Sequence, residues 1–155
     1  MKDGFIKVAA GSVKTTVADI AANLSEIKKR IEQADKKGVN LLVLPELSLT
    51  GYTCGDLFYS EVLLDSAREA LCELAEFTAD KYPLVLVGLP LRHGHRLFNC
   101  AAALHDGEIK AIVPKTHLPN YSEFYEKRQF ASANSLGGNT TVNIGGRAVP
   151  FGRHL

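Results

Sequence analysis

Two ionisable residues stand in the same kind of place. The apolar run Leu41–Leu44 leads into Pro45-Glu46, and the run Ile109–Val113 leads into Pro114-Lys115. Proline has no N–H to give a ladder, so Pro45, Pro90, Pro114 and Pro150, each following such a run, mark the ends of strands. A charge just past the carboxyl end of a buried strand lies where α/β folds build their sites. A half-buried carboxylate has a raised pKa and serves as a base near neutral pH. An ammonium beside it stabilises a developing oxyanion. Glu46 and Lys115, 69 positions apart, could form such a pair. What the pair lacks is a nucleophile. A thiol would complete it, because an adjacent base and cation favour the thiolate. Each charge alone also reads as a solvated loop residue; the two together, with aromatic-rich loops behind both, favour chemistry.

These charges need elements to hold them. Phe5–Ala10 reads as a strand. A helix follows Asp19, its N-cap, with Ile20, Leu24, Ile27, Ile31 and Ala34 in one stripe and Gly38 at its end. Lys28–Arg30 lies mostly off that stripe, as a solvated face. Leu41–Leu44 and Leu84–Val87 are continuous apolar runs, which suit strands buried on both faces. Between them a second helix spans about Glu61 to Ala79, with Leu64, Ala67, Leu71, Leu74 and Phe77 on one side. Leu97–Leu104 and Glu108–Val113 are strands joined at Asp106-Gly107, a hairpin signal because both residues tolerate φ > 0. Weak strands lie at Thr141–Ile144 and Arg147–Val149. The order predicts an α/β fold with a mixed sheet. Right-handed crossovers put both helices on one sheet face, so the other face needs a different cover.

Composition removes several function classes. The 155 residues are 46% hydrophobic, and 18 Lys+Arg against 17 Asp+Glu leave a net charge of +1. That share of apolar residues suits a globular domain, and that balance argues against nucleic acid as a partner. No apolar run approaches the roughly 20 residues that span a bilayer, so no membrane partner is expected. Cys54, Cys72 and Cys100 form no disulfide framework, which suits a cytoplasmic protein. Gly137-Gly138-Asn139 and Gly145-Gly146 lack the lysine of a phosphate loop and read as turns. His93-Gly94-His95 would place two imidazoles on one side of a strand, but with no Cys or carboxylate close in sequence no metal site is expected. His117 could orient a neighbour in the lysine loop or face solvent.

Leu44-Pro45-Glu46-Leu47-Ser48-Leu49-Thr50-Gly51-Tyr52 resembles the glutamate motif of the nitrilase, or carbon–nitrogen hydrolase, superfamily. Val113-Pro114-Lys115-Thr116-His117-Leu118-Pro119 resembles its lysine motif, at a matching interval. Within the superfamily, Gly51–Leu57 and Leu118–Arg128 resemble the N-terminal glutaminase domains of glutamine-dependent NAD⁺ synthetases. Many other members have a phenylalanine where this chain has Pro119. The resemblance implies an α/β fold of the four-layer α–β–β–α sandwich type, whose second sheet would cover the first. It implies a Glu–Lys–Cys triad with Glu46 as general base and Lys115 as oxyanion stabiliser. Glu126 would help order the lysine and the substrate, and Tyr52, Tyr121 and Phe124 would line a pocket for L-glutamine. Loop aromatics also read as plain packing.

The resemblance also exposes a gap. The family's nucleophilic cysteine lies downstream of the lysine, and no cysteine follows Lys115 here. Cys54 is near Glu46 in sequence but, as a small cysteine in a loop, reads as packing, as do Cys72 on a helix and Cys100 in a strand. The expectation is therefore a partial domain over residues 1–155, with no nucleophile, no cofactor and no glutaminase activity of its own. The rest of that domain and a synthetase domain that uses ATP and Mg²⁺ to amidate nicotinate adenine dinucleotide would lie outside it. Missing cover for the sheet predicts association with other copies, or with the rest of that domain. A stand-alone amidase or carbamoylase, and a catalytically dead binding module, are the competing readings.

Overall fold

In the computed structural model, residues 4–155 are described. Seven strands form one sheet: β1 (Val8–Ala10), β2 (Leu41–Val43), β3 (Leu84–His93), β4 (Arg96–His105), β5 (Glu108–Pro114), β6 (Thr140–Ile144) and β7 (Arg147–Phe151). Their spatial order is β1-β2-β3-β4-β5-β7-β6. β1, β2 and β3 run parallel, β3, β4 and β5 form an antiparallel meander, and β7 joins β5 in parallel. β2 and β5 therefore point the same way, and their carboxyl ends, which precede Glu46 and Lys115, lie at one edge of the molecule.

Both helices cover the same face, as the crossover rule requires. In α1 (Ile20–Lys36), Ile27, Ile31 and Ala34 are buried, and the Asp19 carboxylate caps the amino end by accepting from the Ala22 N–H at 3.0 Å. In α2 (Glu61–Phe77), Leu64, Ala67, Leu71 and Leu74 face inward. Ile27 and Ile31 of α1 and Leu71 and Leu74 of α2 pack with alternate strand residues: Leu42 of β2, Val85, Val87 and Leu89 of β3, and Phe98, Cys100, Ala102 and Leu104 of β4; Leu64 joins a second cluster with Leu47, Phe58, Leu97 and Phe130. Period-two alternation sends the remaining residues to the opposite face. There Val43 is 41% and Val113 is 40% exposed, beside Leu86 and Ala101. The sheet is thus apolar on both sides and covered on one. The mixed α/β fold is as expected, and the sandwich is incomplete: among the described residues there is one sheet and one helical layer. β6 and β7 extend the first sheet instead of starting a second.

The prolines hold a correction. Pro45 and Pro114 stand at strand ends, but Pro90 lies inside β3, paired with Asn99, and Pro150 lies inside β7. β2 pairs with β3 only as far as Leu86. Beyond that point no strand of the described residues lies on that side of β3, so the hydrogen bond that Pro90 cannot donate is not required. The Asp106-Gly107 turn is as read, with φ of 52° and 73°.

Candidate active site

Glu46 sits on a turn pressed flat against β3. The Leu44 N–H donates to the Leu86 carbonyl at 2.9 Å, and the Leu49 N–H donates to the Gly88 carbonyl at 3.2 Å. Gly88 permits this approach: a Cβ there would stand 2.3 Å from the Leu47 nitrogen and 2.7 Å from the Pro45 oxygen. Leu47 takes φ of +50°, a strained conformation for a branched side chain, directly after Glu46. The turn is also held from α1, where the buried Asn23 amide donates to the Leu49 carbonyl at 2.9 Å and to the Thr16 carbonyl at 2.8 Å.

Lys115 follows β5 directly, and its N–H donates to the Asn99 carbonyl at 2.8 Å. The segment after it folds back over the β2 loop. Tyr59 donates its hydroxyl to the Arg128 carbonyl at 2.6 Å, Arg128 pairs with Asp56 at 2.9 Å, and the Phe58 and Phe130 rings meet at 5.0 Å. This fold-back carries Glu126, on the short turn Glu126–Arg128, into the interior at 5% exposure.

The charges then meet. Lys115 Nζ lies 2.7 Å from Glu46 Oε1 and 3.0 Å from Glu126 Oε1. Tyr52 donates its hydroxyl to the same Glu126 oxygen at 2.7 Å. Asn99, 3% exposed, donates its side-chain amide to Glu46 Oε1. Glu126 Oε2 is buried and accepts no hydrogen bond among the described residues. Burial presses the Lys115 ammonium's pKa down, but hydrogen bonds and charge from Glu46 and Glu126 outweigh it and hold the pKa above the ordinary lysine value. Burial pushes the Tyr52 phenol up, reinforced by its bond to Glu126 and by the nearby carboxylates. Lysine and phenol therefore both keep their protons at neutral pH. Glu46 and Lys115 open onto a hollow of about 430 Å³ whose walls include Val43, Leu86, Ala101 and Val113, on the bare sheet face.

All six residues singled out from the sequence fall in one neighbourhood. Phe124 stands between Tyr52 and Tyr121, its ring 6.4 Å from one and 5.8 Å from the other, both edge to face. Tyr121 is 67% exposed and reaches the cluster only through Phe124. The cysteines are elsewhere engaged. Cys54 is buried and donates its thiol to the Thr50 carbonyl at 3.1 Å; burial raises its pKa and outweighs the lowering effect of hydrogen bonds from the Ala18 backbone and the Thr50 side chain. Cys72 lies under the Gly145 turn, and burial raises its thiol also. Cys100 is enclosed in the helix-side core, where desolvation drives its pKa up. None has the lowered pKa of a reactive thiol. His93 packs its ring 5.0 Å from Phe151, and among the described residues no group of three metal-ligating side chains comes together. Sequence reading missed Asn99 and Gly88. The available signal for Asn99 was an amide inside an otherwise apolar strand, a residue type that strands disfavour.

The carbon–nitrogen hydrolase profile matches residues 7–152. The chain belongs to the carbon–nitrogen hydrolase family. Within that family it is 42% identical over 152 residues to a glutamine-dependent NAD(+) synthetase of Mycobacterium tuberculosis, covering 98% of this chain and 22% of that protein. It is 31% identical over 146 residues to the enzyme of the same name from Aquifex aeolicus, covering 94% of this chain and 25% of the relative. The solved structure of a glutamine-dependent NAD(+) synthetase from Cytophaga hutchinsonii superposes with a TM-score of 0.88 at 33% identity, over 95% of this chain and 25% of that one. An amidase from Nesterenkonia, at 23% identity and a TM-score of 0.70 over 94% of this chain and 54% of that one, shares the fold. The chain spans about a quarter or less of the length of these synthetases.

Proposed function

We propose that this chain is part of the glutamine-hydrolysing unit of a glutamine-dependent NAD⁺ synthetase. It would supply the base and the oxyanion-stabilising cation of a site whose thiol lies outside these 155 residues. The observation that carries the reading is the Lys115 ammonium shared between Glu46 and Glu126, in a chain 42% identical to a protein of that name.

The geometry suits each step. Glu46 takes the thiol proton as sulfur attacks the side-chain amide carbon of L-glutamine. Lys115 Nζ meets the oxygen that becomes negative, with a charge that its two carboxylates keep in place. Glu46 then returns the proton to the departing nitrogen, and ammonia leaves a glutamyl thioester. Water, deprotonated by Glu46, opens the thioester to glutamate and free thiol. Tyr52, Tyr121 and Phe124 offer an aromatic wall beside the pair for the glutamine carbon chain. In the same reading, the ammonia amidates nicotinate adenine dinucleotide to NAD⁺ at a separate part of the protein that binds ATP and Mg²⁺. The sequence carries no glycine-rich lysine-serine/threonine loop, and the reading assigns that step to another part of the protein. No helix of the described residues is long and apolar enough to cross a membrane, and a cytoplasmic setting with the three cysteines unpaired suits the reading.

The test is ammonia release from L-glutamine by the gene product that contains this segment. Glu46→Gln and Lys115→Met are each expected to lower it by about 10²-fold or more, the scale of a lost general base or oxyanion donor. Unchanged release in both variants would overturn the proposal. The 155-residue chain alone is expected to release none; release abolished by Cys54→Ala would make Cys54 the nucleophile instead.

A further inference from the structure

We propose that Asn99 is a positioning residue that decides which oxygen of Glu46 is the base; the inference rests on the reading of Glu46 given above. A carboxylate only accepts hydrogen bonds, so the Asn99 group that meets it must be the NH₂. That NH₂ and the Lys115 ammonium both donate to Glu46 Oε1. The second oxygen of Glu46 accepts no hydrogen bond among the described residues, and the side chain is 40% exposed beside the open hollow. Two donors on one oxygen fix the plane of the carboxylate and lower the basicity of that oxygen. The proton-accepting lone pairs are thereby left on the other.

Asn99 also ties the two halves of the pair together. Its main-chain carbonyl accepts from the Lys115 N–H at 2.8 Å, while its side chain holds Glu46. One residue of β4 thus sets the position of the lysine through its backbone and that of the glutamate through its amide. Its placement follows from strand phase. Leu97, Asn99 and Ala101 alternate with the core residues Phe98, Cys100 and Ala102, so Asn99 falls on the face that carries the charges. A purely structural amide would need no partner that titrates.

The test is a carbon-13 NMR titration of Glu46 in this chain. In Asn99→Leu, loss of a donor to the charged form is expected to raise the Glu46 midpoint by about one pH unit. Asn99→Asp, which faces Glu46 with a second anion, is expected to raise the upper midpoint of the pair further. Asn99→Gln, which keeps an amide, is expected to restore part of the parent value. Thermal midpoints and the amide spectrum of each variant report folding, so an unfolded Asn99→Leu leaves Asp and Gln to decide. A Glu46 midpoint moved by Lys115→Met but by no Asn99 variant would overturn the proposal while leaving the charge pair intact. A midpoint moved by neither would overturn the proposal and the reading beneath it.

Discussion

At the scale of single residues, the site is a balance of one ammonium between two carboxylates, and its pH behaviour follows. The Lys115 pKa is held above its ordinary value and the Tyr52 phenol is pushed up. Both folded-state shifts favour the protonated form. Their contribution to stability is complete below the unfolded values, near pH 10, and is lost as pH rises through the folded ones. Thermal midpoints of the chain are therefore expected to fall above about pH 10, and by less in Glu46→Gln and in Tyr52→Phe. An equal fall in all three would refute the shifts. Tyr52→Phe, which removes one hydrogen bond to a buried carboxylate, is expected to cost about 1 kcal/mol at neutral pH by denaturant titration. Glu46 and Lys115 were legible because each follows an apolar strand through a proline. Glu126 was legible only by resemblance, since nothing in its own stretch of sequence shows that a fold-back buries it. Asn99 was hidden because its role depends on strand phase against a loop 53 positions away.

At the scale of elements, the turn after β2 and the middle of β3 are one unit. Gly88→Ala would drive a Cβ into the Leu47 and Pro45 backbone. The expected result is a loss of about 1–3 kcal/mol, as for other overpacked sites, together with a displaced Glu46 side-chain signal. A stable Gly88→Ala chain with an unmoved Glu46 signal would show that the turn is held elsewhere. Helix and strand positions were largely readable, because the 3.6-residue stripes of α1 and α2 are strong and Asp106-Gly107 marks the turn between β4 and β5. Pro90 was misread because a proline's meaning depends on whether a strand lies on its N–H side, and β2 stops at Leu86. The β6–β7 hairpin was read as two strands, but its sheet was not, since pairing order is not a property of either strand alone.

At the scale of the whole molecule, one layer of helices cannot cover both faces of an apolar sheet. Val43, Leu86, Ala101 and Val113 stand where a second layer would sit. This chain is expected to associate and to bind an apolar dye, and Val43→Lys with Val113→Lys is expected to reduce both. A monomer by light scattering with no dye response would refute that. The meander has a separate consequence, for the order of assembly. β3, β4 and β5 follow one another through short turns, so the Asn99–Lys115 side of the site forms from neighbours in the chain, which is fast. Glu46 must close across 69 positions, so it is expected to join after α2 and the meander are in place. In pulse-labelled hydrogen exchange, amides of β4 and β5 are expected to gain protection before those of Leu49 and Gly51. The lysine would then wait, unneutralised, for its glutamate, and closing that pair would be among the last acts of folding.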